Sequence, residues 1–233
     1  AINLAVGTFQ KKTADKFYLA SVIGGRTNKD YSWDGSRSIK VATILTQDPG
    51  DYTRSGANRY GTPTDVEDTV QTMEVTQDKS VSLVVDKGDN KQQMMIKNAG
   101  KVLGLEIREK FVPMVDKYAL SKWNSGRGAY TVQATLTKDN IIAEIGKHVT
   151  ALGNALTDAS DAICYIGWSN YALLLNCVEF MNLEKLGTKA LADGAVGKVA
   201  GFSVIEVPDD YMPEGVNFLC ANRRALLNPL KIK

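Results

Sequence analysis

The sequence predicts an α+β fold organised around one long helix, and three observations lead to this prediction. Apolar residues recur with helical spacing from residue 89 to residue 123. A long polar segment, 46–68, separates two stretches whose apolar and polar residues alternate as in a strand. After residue 123, strand patterns and helix patterns follow one another, which is typical of a sheet packed against helices.

The composition is that of an ordinary folded protein. The chain has 233 residues, 44% hydrophobic and 23% charged, enough for one large domain or two modest ones. A formal net charge of +2 predicts only weak, non-specific contact with nucleic acid. Neither a signal peptide nor a membrane partner is expected, because no apolar run approaches ~18 residues and no basic region precedes an apolar block at the N-terminus.

The first part of the chain has weak signals. Residues 1–31 are interpreted as an extended N-terminal arm and not as a core element. Residues 38–45 then alternate like a strand, with Ile39, Val41 and Leu45 on one side. The regular part of the fold is therefore expected to begin near residue 38.

The segment 46–68 is rich in Gly, Pro, Asp, Asn, Thr and Arg, and it is longer than most loops without a function. Strands are predicted after it at 70–76 and 80–86, so the segment is most simply the tip of a two-stranded arm. Such a ribbon is marginally stable alone, which predicts that a neighbouring molecule covers it. Tyr and Arg are enriched at protein contacts. The candidate subunit-interface residues here are Asp51, Tyr52, Arg54, Arg59, Tyr60 and Glu67.

The long helix has a well-signalled start. Asp89 is placed to cap its first turn, with Gln92 three residues later in the capping-box position. An unbroken helix over 89–123 would be about 50 Å long, far beyond the usual mean of about 11 to 12 residues. Pro113 lacks the N–H that would bond the carbonyl of Glu109, so a kink or short break is expected there, but not an end.

The remainder predicts an α/β or α+β region. Its predicted elements are strands at 129–136, 162–168 and 216–221, helices from 137 and over 170–180, and a hairpin over 197–207 that turns at Gly201.

Residues that could carry chemistry are few. The one histidine, His148, lies on the apolar face of a predicted helix and is interpreted as structural. The three cysteines, Cys164, Cys177 and Cys220, show no C-x-x-C spacing and are interpreted as buried thiols of a reducing compartment. Nucleophile-elbow, phosphate-loop and zinc-ligand motifs are absent. The sequence therefore predicts no catalytic, cofactor or metal site, and the chain is not expected to be an enzyme.

Several short motifs resemble the major capsid protein of tailed bacteriophages, in a family seen mainly in phages and prophages of Gram-positive bacteria. The motifs are DYTR at 51–54, RYGTP at 59–63, TVQ at 69–71, DKG at 86–88 and the hairpin GKVAGFSVIEVP at 197–208, followed by 216–221. They occur in the expected order and cover most of the chain.

The resemblance implies the Johnson fold of the Hong Kong ninety-seven phage shell. The implied divisions are an N-terminal arm (1–31), an extended β-hairpin loop with flanking peripheral strands (32–88), a peripheral spine helix (89–123), an axial α/β domain (124–221) and a return toward the peripheral domain (222–233). In such shells the extended loop lies across the neighbouring subunit.

The implied function is a structural subunit that forms pentamers and hexamers of itself in an icosahedral head around double-stranded DNA. Scaffolding and portal proteins are the other implied partners, the implied location is the virion, and assembly is expected in the host cytoplasm. The segment 46–68 contains no lysine, so the isopeptide cross-link made through this loop in some relatives is not expected. Members of the family continue past the position of Lys231 with further strands that return to the peripheral domain. This sequence stops at Lys233, which suggests a shorter variant or an incomplete chain.

Two alternatives remain open. The same fold is expected in an encapsulin-like compartment, which holds enzymes instead of DNA. From a different class, a soluble enzyme could use the polar loop as an active-site lid.

Overall fold

The computed structural model describes residues 20–31, 38–52, 54–56, 59–63, 65–84, 99–128, 135–155, 161–177, 198–199, 201–228 and 230. The chain divides into two compact units. The smaller unit comprises Lys29–Ser82 and Pro229–Lys233, and the larger comprises Ala1–Asn28 and Leu83–Asn228. The predicted helix cap at Asp89 lies outside the described residues.

The smaller unit is built on two antiparallel strands, β1 (Ser38–Ile44) and β2 (Asp68–Glu74). All seven residues of each strand pair, from Ser38 opposite Glu74 to Ile44 opposite Asp68. The amide of Leu45 donates to the carbonyl oxygen of Glu67 at 2.9 Å, which continues the pairing toward the loop. We call β1, β2 and the connecting residues 45–67 the ribbon. Its first strand and its two-stranded pairing confirm the prediction, while the second strand begins two residues earlier than predicted.

The strand predicted at 80–86 is wrong over residues 80–84, and residues 85 and 86 lie outside the described part. Residues 80–84 have no regular structure, and Val84 keeps 94% of its surface exposed. Alternation alone does not make a strand, because the backbone N–H and C=O groups need a paired neighbour. Within the described residues no strand pairs with this segment.

The larger unit contains a long helical stretch with three parts: α1 (Ala99–Glu106), a π-helical turn (Ile107–Phe111) and α2 (Val112–Ser125). The amide of Val112 donates to the carbonyl of Ile107, five residues earlier. This wider turn directly precedes Pro113, which cannot donate to the carbonyl four residues before it. The helix therefore continues past the proline, as predicted, and the irregularity is a π-helical turn.

The residues of the predicted helical stripe from Val102 to Tyr118 are half-buried or exposed, and Leu103 is 55% exposed. The buried apolar residues of this helical stretch, Ala119 and Leu120, lie next to the predicted stripe. Val102 and Ile107 are half-buried. The helical stretch thus contributes to the core of the chain near its C-terminal end and leaves apolar surface exposed at Leu103.

A four-stranded sheet forms the rest of the core. Its strand order is β4 (Lys198–Val199), β5 (Phe202–Val207), β3 (Ala162–Gly167) and β6 (Phe218–Asn222). β3 is parallel to β5 and antiparallel to β6, and every residue of β3 is buried. The predicted hairpin turns at Gly201, whose φ of 89° suits glycine.

Two apolar clusters cover the two faces of this sheet. On one face, Ile141 and Ile145 of α3 (Ile141–Asn154) and Leu174 of α4 (Trp168–Leu175) pack with Cys164 and Phe202. On the other face, side chains of α2 pack against the sheet. That second cluster includes Ala119, Leu120, Ile163, Tyr165, Ile205 and Val207.

The observed helices and strands of this region differ from the predictions mainly at their ends. Helix α3 begins at Ile141, four residues after the predicted start, and α4 begins at Trp168, two residues before it. Residues 135 and 136 of the predicted strand 129–136 are not in a strand, and 129–134 lie outside the described residues. The division of the larger unit into peripheral and axial domains stays a prediction.

A buried carboxylate fastens the segment before β1 to the long helix. Asp116 is fully buried and accepts hydrogen bonds from the hydroxyl of Ser21 and the amide of Val22, both at 2.8 Å. Burial raises the pKa of Asp116 above its ordinary value of 3.8, and the two hydrogen bonds oppose the rise. Val22 and Ile23 are buried in the same cluster as Leu120. These residues, interpreted from sequence as outside the core, are therefore part of it.

His148 packs against an aromatic side chain of β6. Its ring meets the edge of the Phe218 ring, with centroids 5.0 Å apart. Burial lowers the pKa of His148, and the negative charge of Glu144 opposes the change.

Candidate subunit interface

The six candidate interface residues all belong to the ribbon, and all six are exposed. Five lie in the loop between the strands, and Glu67 directly precedes β2. The structure brings Tyr52 and Tyr60 together, with ring centroids 5.3 Å apart and planes tilted by 53°. Positive φ angles at Gly56 (109°) and Gly61 (79°) allow the chain to turn around this pair.

The tyrosine pair is presented to solvent. Tyr60 is 90% exposed and Tyr52 is 54% exposed. Tyrosine offers a large rigid apolar surface and a hydroxyl at low entropic cost, which makes it a frequent anchor in protein interfaces. The ring contact places the two aromatic side chains next to each other in the exposed loop.

Arg54 and Arg59 flank the same turn. Within the described part of the ribbon, neither guanidinium forms an ion pair. Arginine can bind a carboxylate through two parallel hydrogen bonds, so both side chains have unused capacity for a partner. The structure does not bring them together with Asp51 or Glu67.

Glu67 and Asp65 help to hold the neck of the ribbon through their backbones. The carbonyl of Glu67 accepts from Leu45, and the carbonyl of Asp65 accepts from the side-chain amide of Gln47 at 3.4 Å. The side chain of Glu67 is exposed to solvent. Glu67 thus has a structural contact in addition to its predicted interface role.

Sequence reasoning missed an apolar face on the ribbon itself. Ala42 pairs with Val70 and Ile44 pairs with Asp68, so Ile44 and Val70 lie on the same face. Ile44 is 68% exposed and Val70 is 54% exposed, and Val66, just before β2, is also exposed. A signal was present in the sequence, because these apolar residues stand on the face opposite to Ile39, Val41 and Met73.

Exposed apolar side chains also occur on the long helix of the larger unit. Leu103 and Met114 both belong to it and both are exposed. Monomeric soluble proteins tolerate single exposed apolar residues, but several on one element indicate a contact surface. The chain therefore has exposed apolar surface in two places, on the ribbon and on the long helix.

The described residues contain little that points to other chemistry. They include no group of three or more His, Cys, Asp or Glu side chains placed to hold a metal ion. Among the helices of the described residues, none has both the length and the apolar character needed to cross a bilayer.

The chain thus consists of a two-stranded ribbon joined in sequence to an α+β unit with a long helix. Taken as a whole, its fold is similar to the folds of solved phage capsid structures. A solved structure from Mycobacterium phage Che8 has a TM-score of 0.68 and 16% sequence identity, covering 97% of this chain and 82% of that chain. The capsid structure of cyanophage P-SCSP1u has a TM-score of 0.65 and 15% identity, covering 91% of this chain and 69% of that chain.

The asymmetric unit of the mature capsid of bacteriophage PhiM1 is similar over 94% of this chain and 77% of that chain, with a TM-score of 0.68 and 14% identity. No protein-family model matches the chain, and no curated protein matches it in sequence. The chain therefore has the fold of phage capsid structures, at a sequence identity where fold alone is shared.

Proposed function

We propose that this chain is a structural major capsid protein of a tailed phage, of the Hong Kong ninety-seven type. Copies of it would form pentamers and hexamers that close an icosahedral shell around double-stranded DNA. The observation that carries the proposal is the exposed ribbon, in a chain whose fold is similar to phage capsid structures over more than nine-tenths of its length.

The ribbon supports assembly because it is only marginally stable unless another molecule covers it. It has two strands, and neither contains a fully buried residue. A two-stranded ribbon without a covering layer is marginal in water. Covering Ile44, Val66 and Val70 by a neighbouring subunit would remove apolar surface from water at every copy of the contact.

The long helix supplies a suitable receiving surface in the proposed shell. Its exposed Leu103 and Met114 offer apolar contacts, and Glu106 and Glu109 offer carboxylates on the same helical stretch. The exposed guanidinium groups of Arg54 and Arg59 and these carboxylates have opposite charge. We infer that the ribbon of one subunit lies on the helix of the next, which is the role of a spine helix in such shells.

The six ribbon residues Asp51, Tyr52, Arg54, Arg59, Tyr60 and Glu67 are proposed as interface residues in this arrangement. Scaffolding and portal proteins would be further partners, and contact with packaged DNA would be weak and non-specific, in line with the net charge of +2. The protein would work without a catalytic centre, and its assembly would take place in the host cytoplasm.

Negative-stain electron microscopy of the purified protein tests the proposal. Closed shells of uniform size are expected. A stable monomer or dimer at all concentrations, with a ligand-dependent rise in unfolding temperature, would instead favour an enzyme whose loop closes over a site. Nuclease treatment distinguishes a phage head, which retains protected DNA in infected cells, from an enzyme compartment of the same fold.

A further inference from the structure

Two cysteines face each other across the central sheet. Cys164 on β3 is directly opposite Cys220 on β6 in the antiparallel register. Both side chains point to the cluster that contains Ile141 and Leu174. Cys164 is fully buried and Cys220 is half-buried, and both thiols are free in the structure.

The hydrogen-bond pattern shows which kind of cross-strand pair they form. The amide of Arg223 donates to the carbonyl of Asp161 at 2.9 Å, one step beyond the opposed pair Ala162 and Asn222. Opposed positions in an antiparallel pair alternate between hydrogen-bonded and non-hydrogen-bonded types. Counting three steps from the hydrogen-bonded position at 161 and 223 places Cys164 and Cys220 at a non-hydrogen-bonded position.

Non-hydrogen-bonded pairs are the closer type, with Cα atoms about 4.5 Å apart. Disulfides usually join residues whose Cα atoms are about 4.4 to 6.8 Å apart. The sheet therefore holds these cysteines within the range that a disulfide requires. Their side chains already interact, because burial and a side-chain hydrogen bond with Cys164 raise the pKa of the Cys220 thiol well above its ordinary value of 9.0.

We propose that Cys164 and Cys220 form an oxidation site, in which a small-molecule disulfide converts the opposed thiols into an intramolecular disulfide. The Cys220 thiolate attacks one sulfur of the small disulfide and releases one small thiol. The Cys164 thiolate then attacks Cys220 and releases the second. Two S–H bonds are lost, one S–S bond forms, and the small disulfide is reduced to two thiols, so the electrons balance.

The site goes beyond the proposed capsid role and does not depend on it. Thiolates are the attacking species, so the high pKa of Cys220 makes oxidation slow at neutral pH and faster in alkaline solution. The third cysteine, Cys177, is buried in the same cluster but follows α4 instead of lying in the sheet. Cys177 therefore serves as an internal control, because it should not take part in the disulfide.

The test uses the purified 233-residue chain, incubated with oxidised glutathione in mildly alkaline buffer without denaturant. Intact mass is expected to fall by the mass of two hydrogen atoms, and peptide mapping is expected to find Cys164 joined to Cys220. Closing a loop of about 57 residues should raise the unfolding temperature by roughly 5 to 10 °C. Cys177→Ser should keep both changes, and Cys164→Ser and Cys220→Ser should each lose them.

Other outcomes would overturn the proposal. These are glutathione adducts without an internal bridge, a bridge that includes Cys177, or three unreacted thiols in the folded chain while the denatured chain reacts. The peptide map of the unmodified sequence decides the question even if a serine variant fails to fold.

Discussion

The apolar face of the ribbon allows the assembly contact to be tested quantitatively. Fully burying an Ile or Val side chain is worth about 1.5 to 3 kcal/mol. Ile44 keeps 68% of its surface exposed and Val70 keeps 54%, so covering what remains should contribute about 1 to 2 kcal/mol for each residue. Replacing both by serine, in the double variant Ile44→Ser and Val70→Ser, should therefore weaken each ribbon contact by about 2 to 3 kcal/mol.

This loss has a measurable consequence for assembly. A factor of ten in an equilibrium constant corresponds to about 1.4 kcal/mol, so the contact should weaken roughly 30- to 140-fold. Each subunit contributes one ribbon, so the concentration of subunits that remain unassembled should rise by the same factor. Sedimentation of assembly mixtures over a range of total protein concentrations separates particles from subunits and measures that concentration.

A matched control lies on the opposite face of the same strands. Thr43→Ser with Thr69→Ser changes two exposed residues and removes little apolar surface. It should leave the unassembled concentration close to that of the unmodified chain. The unfolding temperature of the unassembled subunit should not change in either variant, because the replaced side chains are exposed. An unassembled concentration that stays the same in the Ile44 and Val70 variant would refute the reasoning.

Three further predictions concern the loop arginines, the buried carboxylate of Asp116 and the capping contact at the start of α4. Arg54→Ala with Arg59→Ala should lower particle yield on electron micrographs while the subunit stays folded, because both guanidinium groups are exposed and without ion pairs in the described ribbon. Asp116→Ala should lower the free energy of unfolding by about 1 to 3 kcal/mol in denaturant titrations, since the buried Val22 amide and the half-buried Ser21 hydroxyl lose their acceptor. Gly167→Ala should cost about 1 to 2 kcal/mol, because its Cβ would meet the Asp209 carboxylate at 2.5 Å and that carboxylate caps α4 through the Ser169 amide.

The arginine prediction and the Gly167 prediction each have a control. For the arginines, Lys138→Ala removes an exposed charge from the larger unit and should leave yield unchanged. Equal yields from the arginine variant and this control would contradict the interface role. For Gly167, the control is Gly146→Ala in α3. A Cβ at position 146 would meet nothing within 4 Å, so this substitution should stabilise the helix by about 0.5 to 1 kcal/mol. A neutral Gly167→Ala variant would show that Asp209 does not cap the helix.

Asp116 also predicts a pH dependence. Its pKa is raised in the folded chain, so the folded state binds the proton more tightly than the unfolded state. As pH rises from 3.8 through the folded pKa, this residue should make the free energy of unfolding fall. Asp116→Asn should remove that component. A variant with the same pH profile as the unmodified chain would show that Asp116 titrates alike in both states.

Some of the fold is readable from local sequence. Helical spacing around Val115 and Tyr118 continues past Pro113, and the helix continues there as well, with a π-helical turn in front of the proline. The ribbon is readable because apolar and polar residues alternate on both sides of a polar loop. These features depend on neighbours along the chain, so the sequence predicts them.

Contacts between residues that are far apart in the chain cannot be predicted from local sequence in the same way. Val22 and Ile23 become core residues through Asp116, which is 94 residues away from Val22. The contact between Tyr52 and Tyr60 depends on backbone angles at two glycines. The strand predicted at 80–86 fails for a related reason: alternation describes a surface that fits a sheet, and a strand exists only where another strand pairs with it.

The most direct test is a cryo-electron microscopy reconstruction of the assembled particle. The account predicts that the ribbon of each subunit lies across the long helix of a neighbour, with Ile44, Val66 and Val70 covered and Arg54 and Arg59 near carboxylates. A closed shell in which the ribbon and these five side chains face solvent would contradict it.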